Sequence, residues 1–180
     1  MALKASPGAC RPSELAHFVL RTKDPKKLIE FYQNFLNAKI THSSDLITFM
    51  TWDHEHHRFA ILNDPNAVPK PDNAVGVDHF ALTFGSLGQL LQAYKTRKEI
   101  GIEPAYCVHH GMSISMYYKD PDGNKIENQV DTFKTKEEAM QYMTSAEFAK
   151  NPRGPDYNPD ELLKRFEAGE DETTLMKRGA

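Results

Sequence analysis

The sequence contains few cysteines, and their placement excludes two kinds of site. Only Cys10 and Cys107 occur in the 180 residues, and neither belongs to a Cys-x-x-Cys pair. Two isolated thiols cannot build a disulfide framework, and they suit a reducing compartment. We therefore assign neither cysteine a metal-binding or redox role.

The chain also lacks long apolar runs and an excess of one charge. No hydrophobic stretch approaches the roughly 20 residues of a membrane span, and Met1–Pro12 has no apolar core of a signal peptide. The formal net charge of −3 gives no general attraction to nucleic acid or to an acidic membrane. With 39% hydrophobic and 26% charged residues, the composition is that of a globular protein with one sizeable core. We expect a cytoplasmic protein that binds neither nucleic acid nor membranes.

An internal repeat organises the sequence. The tetrapeptide His-Phe-Val-Leu begins at His17, and His-Phe-Ala-Leu begins at His79, 62 residues later. At the same offset, Tyr32 matches Tyr94 in a segment with helical spacing. An offset shared by a strand-like and a helix-like segment predicts two βαβββ modules.

The repeat predicts an α+β fold and divides the chain into five parts. These are a mobile leader at 1–12, a first module at 13–63, a linker at 64–75, a second module at 76–130, and a helical C-terminal extension at 131–180. Each module is expected to form a curved four-stranded sheet with one helix. Two such modules side by side can form a cup whose inner face collects residues from equivalent strands.

Each module is expected to open with a strand, Glu14–Thr22 in the first and Gly76–Phe84 in the second. Both faces of the first strand are largely apolar, so we expect it to be covered on both sides. Asp24-Pro25 is a helix start, with the aspartate as N-cap and the proline at the first helical position. His57–Leu62 is interpreted as the last strand of the first module.

The C-terminal extension has two helix starts. Thr135-Lys-Glu-Glu138 is a capping box that predicts a helix through Met143. Asn158-Pro159 predicts a second helix through Phe166, and the polar residues after it are expected to be frayed. The extension is expected either to lie over the cup or to pack against a second subunit.

Three side chains stand out as metal ligands. A lone histidine on an apolar strand is more often a hydrogen-bonded core residue, but the repeat places His17 and His79 at the same position of equivalent strands. Glu127 lies on the last strand of the second module, where a buried carboxylate needs a partner charge or donors. Two imidazoles and one carboxylate with open positions suit Fe(II), with Mn(II), Co(II) or Zn(II) as alternatives. A structural zinc site would instead need four closed ligands.

At these residues the sequence resembles the vicinal oxygen chelate superfamily over about 13–130. The superfamily includes glyoxalase I, fosfomycin-resistance proteins, bleomycin-binding proteins and extradiol ring-cleaving dioxygenases. The resemblance is carried by His17-Phe-Val-Leu, by Asp78-His79-Phe-Ala-Leu, and by Tyr117-Tyr-Lys-Asp-Pro-Asp-Gly-Asn-Lys-Ile-Glu127. It implies the cup-shaped fold and a metal site, and it does not by itself separate the members.

Further features resemble the extradiol dioxygenases. Their ligand set of two histidines and one glutamate matches His17, His79 and Glu127. Glyoxalase I has a fourth ligand on the last strand of the first module, whereas His57-Arg-Phe-Ala-Ile-Leu offers no carboxylate or amide there.

The same resemblance implies three residues that act on the substrate. His57 corresponds to a histidine beside the metal ligands, and Tyr117 corresponds to a tyrosine beside the substrate. The segment His109-His110-Gly111 supplies a further histidine, either His109 or His110, and we favour His110 because it directly precedes the glycine.

The resemblance therefore implies an Fe(II)-dependent dioxygenase that cleaves a catechol-like ring with O2. Its partners would be a small aromatic diol and dioxygen, and a homodimer is expected. Two alternatives stay open: another metalloenzyme of the same fold, such as an isomerase, epimerase or thiol transferase, and a metal-free protein that binds a small molecule. The metal recovered with the protein discriminates between these alternatives.

Overall fold

The computed structural model describes residues 10–71 and 73–178. They form two compact units, of which the first ends at Val68 and the second begins at Pro69 and includes the C-terminal extension. Residues 1–9 of the predicted mobile leader lie outside the described residues. The α+β class is confirmed, since each unit combines helices with a four-stranded mixed sheet.

The first unit is a βαβββ module. Its elements are β1 (Phe18–Thr22), α1 (Pro25–Leu36), β2 (Lys39–Ser43), β3 (Ile47–Thr51) and β4 (Phe59–Asn63). The strand order is β1-β4-β3-β2, with β1 and β4 parallel and the other neighbours antiparallel.

Helix α1 begins where the sequence predicts. The Asp24 side chain accepts a hydrogen bond from the Lys27 N–H, and Pro25 is the first helical residue. Tyr32 and Phe35 are buried on one side of the helix, and the Tyr32 ring lies 4.9 Å from the Phe59 ring on β4. The amphipathic stripe therefore holds α1 against one face of the sheet.

The second unit repeats this module with the same topology. Its first five elements are β5 (His79–Thr83), α2 (Leu87–Glu99), β6 (Tyr106–His109), β7 (Ser113–Lys119) and β8 (Lys125–Asp131), and the strand order is β5-β8-β7-β6. Tyr94 is buried on α2 as its counterpart Tyr32 is on α1. The predicted repeat of two βαβββ modules is confirmed.

Both opening strands are shorter than predicted. Strand β1 begins at Phe18 because its parallel partner β4 begins at Phe59, and these two residues form the first pair of the ladder. Gly76 has a φ of +134°, a conformation outside the strand region, and β5 begins only at His79. The expectation that β1 is covered on both sides was wrong, since Val19 remains 51% exposed.

The described part of the C-terminal extension, up to residue 178, contains four helices. They are α3 (Lys136–Met143), α4 (Ala146–Lys150), α5 (Pro159–Glu167) and α6 (Glu172–Leu175). The capping box of Thr135 and Glu138 is confirmed, and so is the start of α5 after Asn158.

The predicted frayed end of the chain was wrong for the described residues. Leu175 of α6 is buried, and the Glu172 carboxylate accepts hydrogen bonds from the backbone N–H groups of Leu87 and Gly88 at the start of α2. A carboxylate at this position is favoured by the partial positive charge of a helix N-terminus. Helix α5 also packs near α2, where Asp160 accepts a hydrogen bond from the Tyr94 hydroxyl at 2.8 Å. The extension thus belongs structurally to the second unit.

Over 10–71 and 73–178, no helix combines the length and the apolar character required to cross a bilayer.

Candidate active site

His79 and Glu127 meet on one face of the second sheet. Glu127 pairs with Ala81 in the parallel ladder of β5 and β8, and His79 lies two residues before Ala81. Because side chains alternate across a strand, His79 and Glu127 point to the same face. The His79 Nε2 atom lies 3.0 Å from Oε2 of Glu127, whose side chain is 8% exposed. An imidazole and a buried carboxylate are therefore directed at the same point.

Asp78 fixes the orientation of the His79 ring. Its Oδ2 atom lies 2.7 Å from His79 Nδ1, and both of its oxygens lie 3.0 Å from Nζ of Lys125. Hydrogen bonds from His79 and Lys125 hold the pKa of Asp78 below its ordinary value. A carboxylate only accepts hydrogen bonds, so the Asp78 contact places a proton on Nδ1 and makes Nε2, on the side of Glu127, the nitrogen that a metal would bind.

His110 and Tyr117 complete this group of side chains. Tyr117 on β7 lies directly opposite Glu127 on β8, and its hydroxyl is 2.9 Å from His110 Nε2. The same nitrogen lies 3.9 Å from Oε1 of Glu127. Burial, followed by the negative charge of Glu127, raises the pKa of Tyr117 well above its ordinary value. Tyr117 is thus a neutral phenol that can donate a hydrogen bond at neutral pH.

The two adjacent histidines at the end of β6 have different surroundings. His109 pairs with Ile114, and its side chain is buried with Nε2 3.1 Å from the carbonyl oxygen of Met176. His110 instead reaches Tyr117 and Glu127. The structure therefore places His110 and not His109 beside the candidate ligands, and the acid–base role of His110 stays a prediction.

The candidate residues of the first unit form a separate group. His17 is exposed and directly precedes β1, and its ring lies 4.5 Å from the ring of His57. His57 also contacts Phe49 of β3, with 4.7 Å between ring centroids. Partial burial, and then the neighbouring His56 and His17, lower the pKa of His57.

The predicted strand His57–Leu62 begins later than expected. His57 lies in the loop before β4, which starts at Phe59. The polar turn Asp53-His54-Glu55 precedes His57. The Asp53 carboxylate forms a 2.9 Å ion pair with Arg58, so the residues directly before Phe59 belong to the turn and not to the strand. His17 and His57 are thus together in one unit, whereas His79, Glu127, His110 and Tyr117 are together in the other. The convergence of His17 with His79 and Glu127 stays a prediction.

The first unit carries no carboxylate where the second carries Glu127. Glu127 pairs with Ala81, and the residue 62 positions before Ala81 is Val19, which pairs with Ala60. Ala60 therefore occupies the register position of Glu127 in the first unit. A methyl group cannot bind a metal, so the strand contributes no fourth ligand from this position.

A third group of potential ligands lies at the polar turn of the first unit. One ligand atom each from Glu14, His54 and Glu55 lies within 4.8 Å of the others. Glu14 and His54 are exposed, and acidic surface groups commonly lie together without a metal. We assign this group no role.

Two contributions were not recognised in the sequence. The first is the orientation of His79 by Asp78. A carboxylate directly before a candidate metal-binding histidine, as in Asp78-His79, is the sequence feature that indicates this role. Arg153 contributes its backbone carbonyl, which accepts a hydrogen bond from His110 Nδ1 at 2.6 Å. Every residue type has such a carbonyl, so the sequence contains no indication of this contact.

The sequence is similar to known proteins over most of its length. The sequence profile of the Glyoxalase/Bleomycin resistance protein/Dioxygenase superfamily matches residues 14–128. Biphenyl-2,3-diol 1,2-dioxygenase 3 of Rhodococcus globerulus is 40% identical over 166 residues, which cover 91% of this chain and 87% of the relative. Biphenyl-2,3-diol 1,2-dioxygenase 2 of the same organism is 40% identical over 157 residues, or 87% of this chain and 83% of the relative.

A solved structure supports the same fold. The fosfomycin resistance protein FosX of Listeria monocytogenes superposes with a TM-score of 0.55 at 23% identity, over 71% of this chain and 98% of that protein. At this level of identity the likeness concerns the fold alone.

Proposed function

Because this chain belongs to the Glyoxalase/Bleomycin resistance protein/Dioxygenase superfamily, we propose that it is a metal-dependent dioxygenase that opens a catechol-like aromatic ring with dioxygen. The observation that carries the proposal is its 40% identity, along 87% of the relative, to a protein named for dioxygenation of biphenyl-2,3-diol. The match covers 91% of this chain, so it extends into the C-terminal extension as well as the two modules. A substrate with two adjacent hydroxyl groups on an aromatic ring is therefore the first class to test.

His79 and Glu127 are the proposed ligands in the second unit. Two donors about 2.1 Å from one ion, at right angles to each other, lie about 3.0 Å apart. The observed separation between His79 Nε2 and Glu127 Oε2 is 3.0 Å, so this pair fits two adjacent ligands of one ion. The hydrogen bond to Asp78 supports the fit because it leaves Nε2 free to bind.

His17 is the proposed third ligand. Its assignment rests on the sequence repeat and on the resemblance to extradiol enzymes. Ala60 at the register position of Glu127 supports a set of three protein ligands instead of four. Three ligands of this kind suit ferrous ion, with manganese, cobalt and zinc as alternatives. When bound, such a metal supplies Lewis acidity and open positions for the diol and for dioxygen.

His110 is the proposed acid–base residue. Its Nδ1–H donates to the Arg153 carbonyl, so Nε2 can accept a proton from a substrate hydroxyl and later return it. Tyr117, a neutral phenol 2.9 Å from Nε2, can donate a hydrogen bond to a substrate oxygen. His57 is proposed as a further histidine acting on the substrate, because it lies beside His17 and its lowered pKa keeps it neutral at pH 7.

Oxygen uptake tests the proposal. Protein reconstituted anaerobically with ferrous ion is mixed with biphenyl-2,3-diol in an oxygen electrode, and 2-hydroxybiphenyl, which lacks the adjacent hydroxyl, is the control substrate. We expect oxygen consumption and a ring-opened product with the diol alone. Manganese or cobalt recovered without oxygen consumption would favour another metalloenzyme of this fold. Failure to bind any metal would favour a protein that only binds a small molecule.

A further inference from the structure

A loop of the C-terminal extension lies against the turn that carries His110. This segment, Asn151–Pro155, is called the 151–155 loop. Its last carbonyl, that of Pro155, accepts a hydrogen bond from the His109 N–H at 2.9 Å, and Asp156 then forms an antiparallel bridge with Val108. The loop is therefore attached to the open edge of β6, directly before His110.

The loop contacts the His110 ring through one backbone atom. The Arg153 carbonyl oxygen lies 2.6 Å from His110 Nδ1. A carbonyl only accepts hydrogen bonds, so this contact places the proton of the neutral ring on Nδ1. Nε2, 2.9 Å from the Tyr117 hydroxyl, then keeps its lone pair on the side of Glu127.

Gly154 permits this close approach. Its φ is +88°, and a Cβ atom at this position would lie 2.0 Å from the His109 carbonyl oxygen. The conformation of the loop is held by Asn151, whose side-chain oxygen accepts a hydrogen bond from the Gly154 N–H at 2.9 Å. The Arg178 side chain also holds the loop, since it donates a hydrogen bond to the Asn151 carbonyl oxygen at 2.7 Å.

Two further residues of the extension contact the turn that carries His110, at Gly111. Gly111 follows His110 with a φ of +95°, and a Cβ atom there would lie 2.3 Å from the Tyr142 ring. The Gly111 carbonyl accepts a hydrogen bond from the Thr132 hydroxyl at 2.5 Å. Residues 132, 142 and 153 all follow the segment 14–128 that matches the superfamily profile. The extension thus supplies contacts around His110 in addition to those of Tyr117 and Glu127 in the two-module domain.

We infer that the 151–155 loop is a positioning element of the active site, in which the Arg153 carbonyl determines which ring nitrogen of His110 carries the proton. This inference rests on the proposed function for the acid–base role of His110. Without the carbonyl, the ring can rotate or adopt the Nε2–H form, which presents a proton where the proposed reaction needs an acceptor. The extension then contributes to turnover through the orientation of His110.

The test compares two glycine substitutions in the extension. Gly154→Ala pushes the loop away from His110, whereas Gly169→Ala is the matched control, since Gly169 has a φ of +84° and nothing within 4 Å of its Cβ position. The His110 ring nitrogens are observed by ¹⁵N NMR in protein loaded with zinc, which is diamagnetic. We expect the Nδ1–H form in the unmodified protein and in Gly169→Ala, and a mixed or Nε2–H form in Gly154→Ala.

Turnover of the iron-loaded protein is the second readout. Gly154→Ala should lower kcat by about tenfold or more, with a much smaller change in KM, because a misoriented base impairs proton transfer more than binding. Its iron content should equal that of the unmodified protein. Asn151→Ala, which removes the side-chain bond to Gly154 without adding bulk, should shift the nitrogen spectrum in the same direction, and it carries the test if Gly154→Ala does not fold.

Two results would overturn the inference. One is an Nε2–H form of His110 in the unmodified protein. The other is an unchanged nitrogen spectrum and kcat in folded Gly154→Ala or Asn151→Ala. The nitrogen spectrum does not depend on turnover. A failure of the positioning inference is therefore distinguishable from a failure of the proposed function. A protein that is inactive on every diol, but whose His110 spectrum shifts as described, would refute the function and retain the positioning.

Discussion

The imidazole of His79 and the carboxylate of Glu127 face each other across the parallel pairing of β5 and β8, with 3.0 Å between Nε2 and Oε2. A separation of this size suits two ligands of one ion, and it follows directly from the strand register. Glu127 pairs with Ala81, which places its side chain on the face that His79 occupies two residues earlier. The register of one ladder therefore brings together two of the three proposed metal ligands.

His110→Ala should slow turnover without releasing the metal. Removing a general acid–base group typically costs 10²- to 10⁴-fold in rate, so we expect kcat to fall by about a hundredfold or more. Metal content should not change, because His110 is not a proposed ligand. Steady-state oxygen uptake measures kcat, and elemental analysis measures the metal content. His42→Ala, at an exposed position without an assigned role, is the control. Loss of iron from His110→Ala would move this residue into the ligand set.

Asp78→Asn should weaken metal binding. The Asp78 carboxylate accepts a hydrogen bond from Nδ1 of His79, and removing such a partner typically costs about 10- to 100-fold in metal affinity. Asparagine keeps the size of the side chain but removes the charge that orients the ring. Metal titration with a competing chelator measures the affinity. Asp122→Asn, in the exposed turn between β7 and β8, is a matched control that should bind normally. Equal affinity in both variants would contradict the orienting role of Asp78.

His109 should make the stability of the second unit depend on pH. Its Nδ1 accepts from the Gly111 N–H at 3.1 Å and its Nε2 faces the Met176 carbonyl, so the buried ring is neutral and a second proton finds no acceptor. Burial is the largest cause that lowers the pKa of His109 from 6.5, and the positive charge of Arg178 acts in the same direction, whereas the hydrogen bond to Met176 raises it.

The sign of this effect follows from proton uptake. The unfolded chain takes up the proton near pH 6.5, whereas the folded chain takes it up only at lower pH. The contribution of His109 to stability is therefore intact above pH 6.5 and decreases as the pH falls below it. Urea unfolding at pH 7.5 and 5.5 should give a smaller loss of stability in His109→Gln than in the unmodified protein. His42→Gln should retain the full loss, and an equal loss in all three proteins would contradict the assignment.

The sequence predicted those parts of the fold that depend on local patterns. The Asp24-Pro25 start of α1 and the capping box at Thr135 are set by neighbouring residues, so both were located correctly. The starts of β1 and β5 were predicted too early, because a strand extends only as far as its partner in the ladder. Helix α6 has four residues, too few for a periodic pattern, and it is stabilised by the contact of Glu172 with the distant start of α2.

In the candidate site, too, the residues with a sequence motif were predicted, and the contacts that depend on register or backbone were not. His79, Glu127 and Tyr117 were identified from their motifs, and the structure brings them together in one unit. The choice between His109 and His110 depended on which side chain leaves β6 toward Glu127, which a one-residue difference in register reverses. The Arg153 contact could not be predicted, because a backbone carbonyl has no sequence signature.

Glu127 is proposed to help hold a catalytic metal, and iron content measured together with oxygen uptake tests this role. Unmodified protein, Glu127→Ala and the exposed control Glu103→Ala are purified anaerobically with ferrous ion, and their iron content and oxygen uptake with biphenyl-2,3-diol are determined. We expect close to one iron ion per chain and oxygen uptake in the unmodified protein and in Glu103→Ala, and neither in Glu127→Ala. Full iron content and activity in Glu127→Ala, or an unmodified protein that binds no metal, would contradict it.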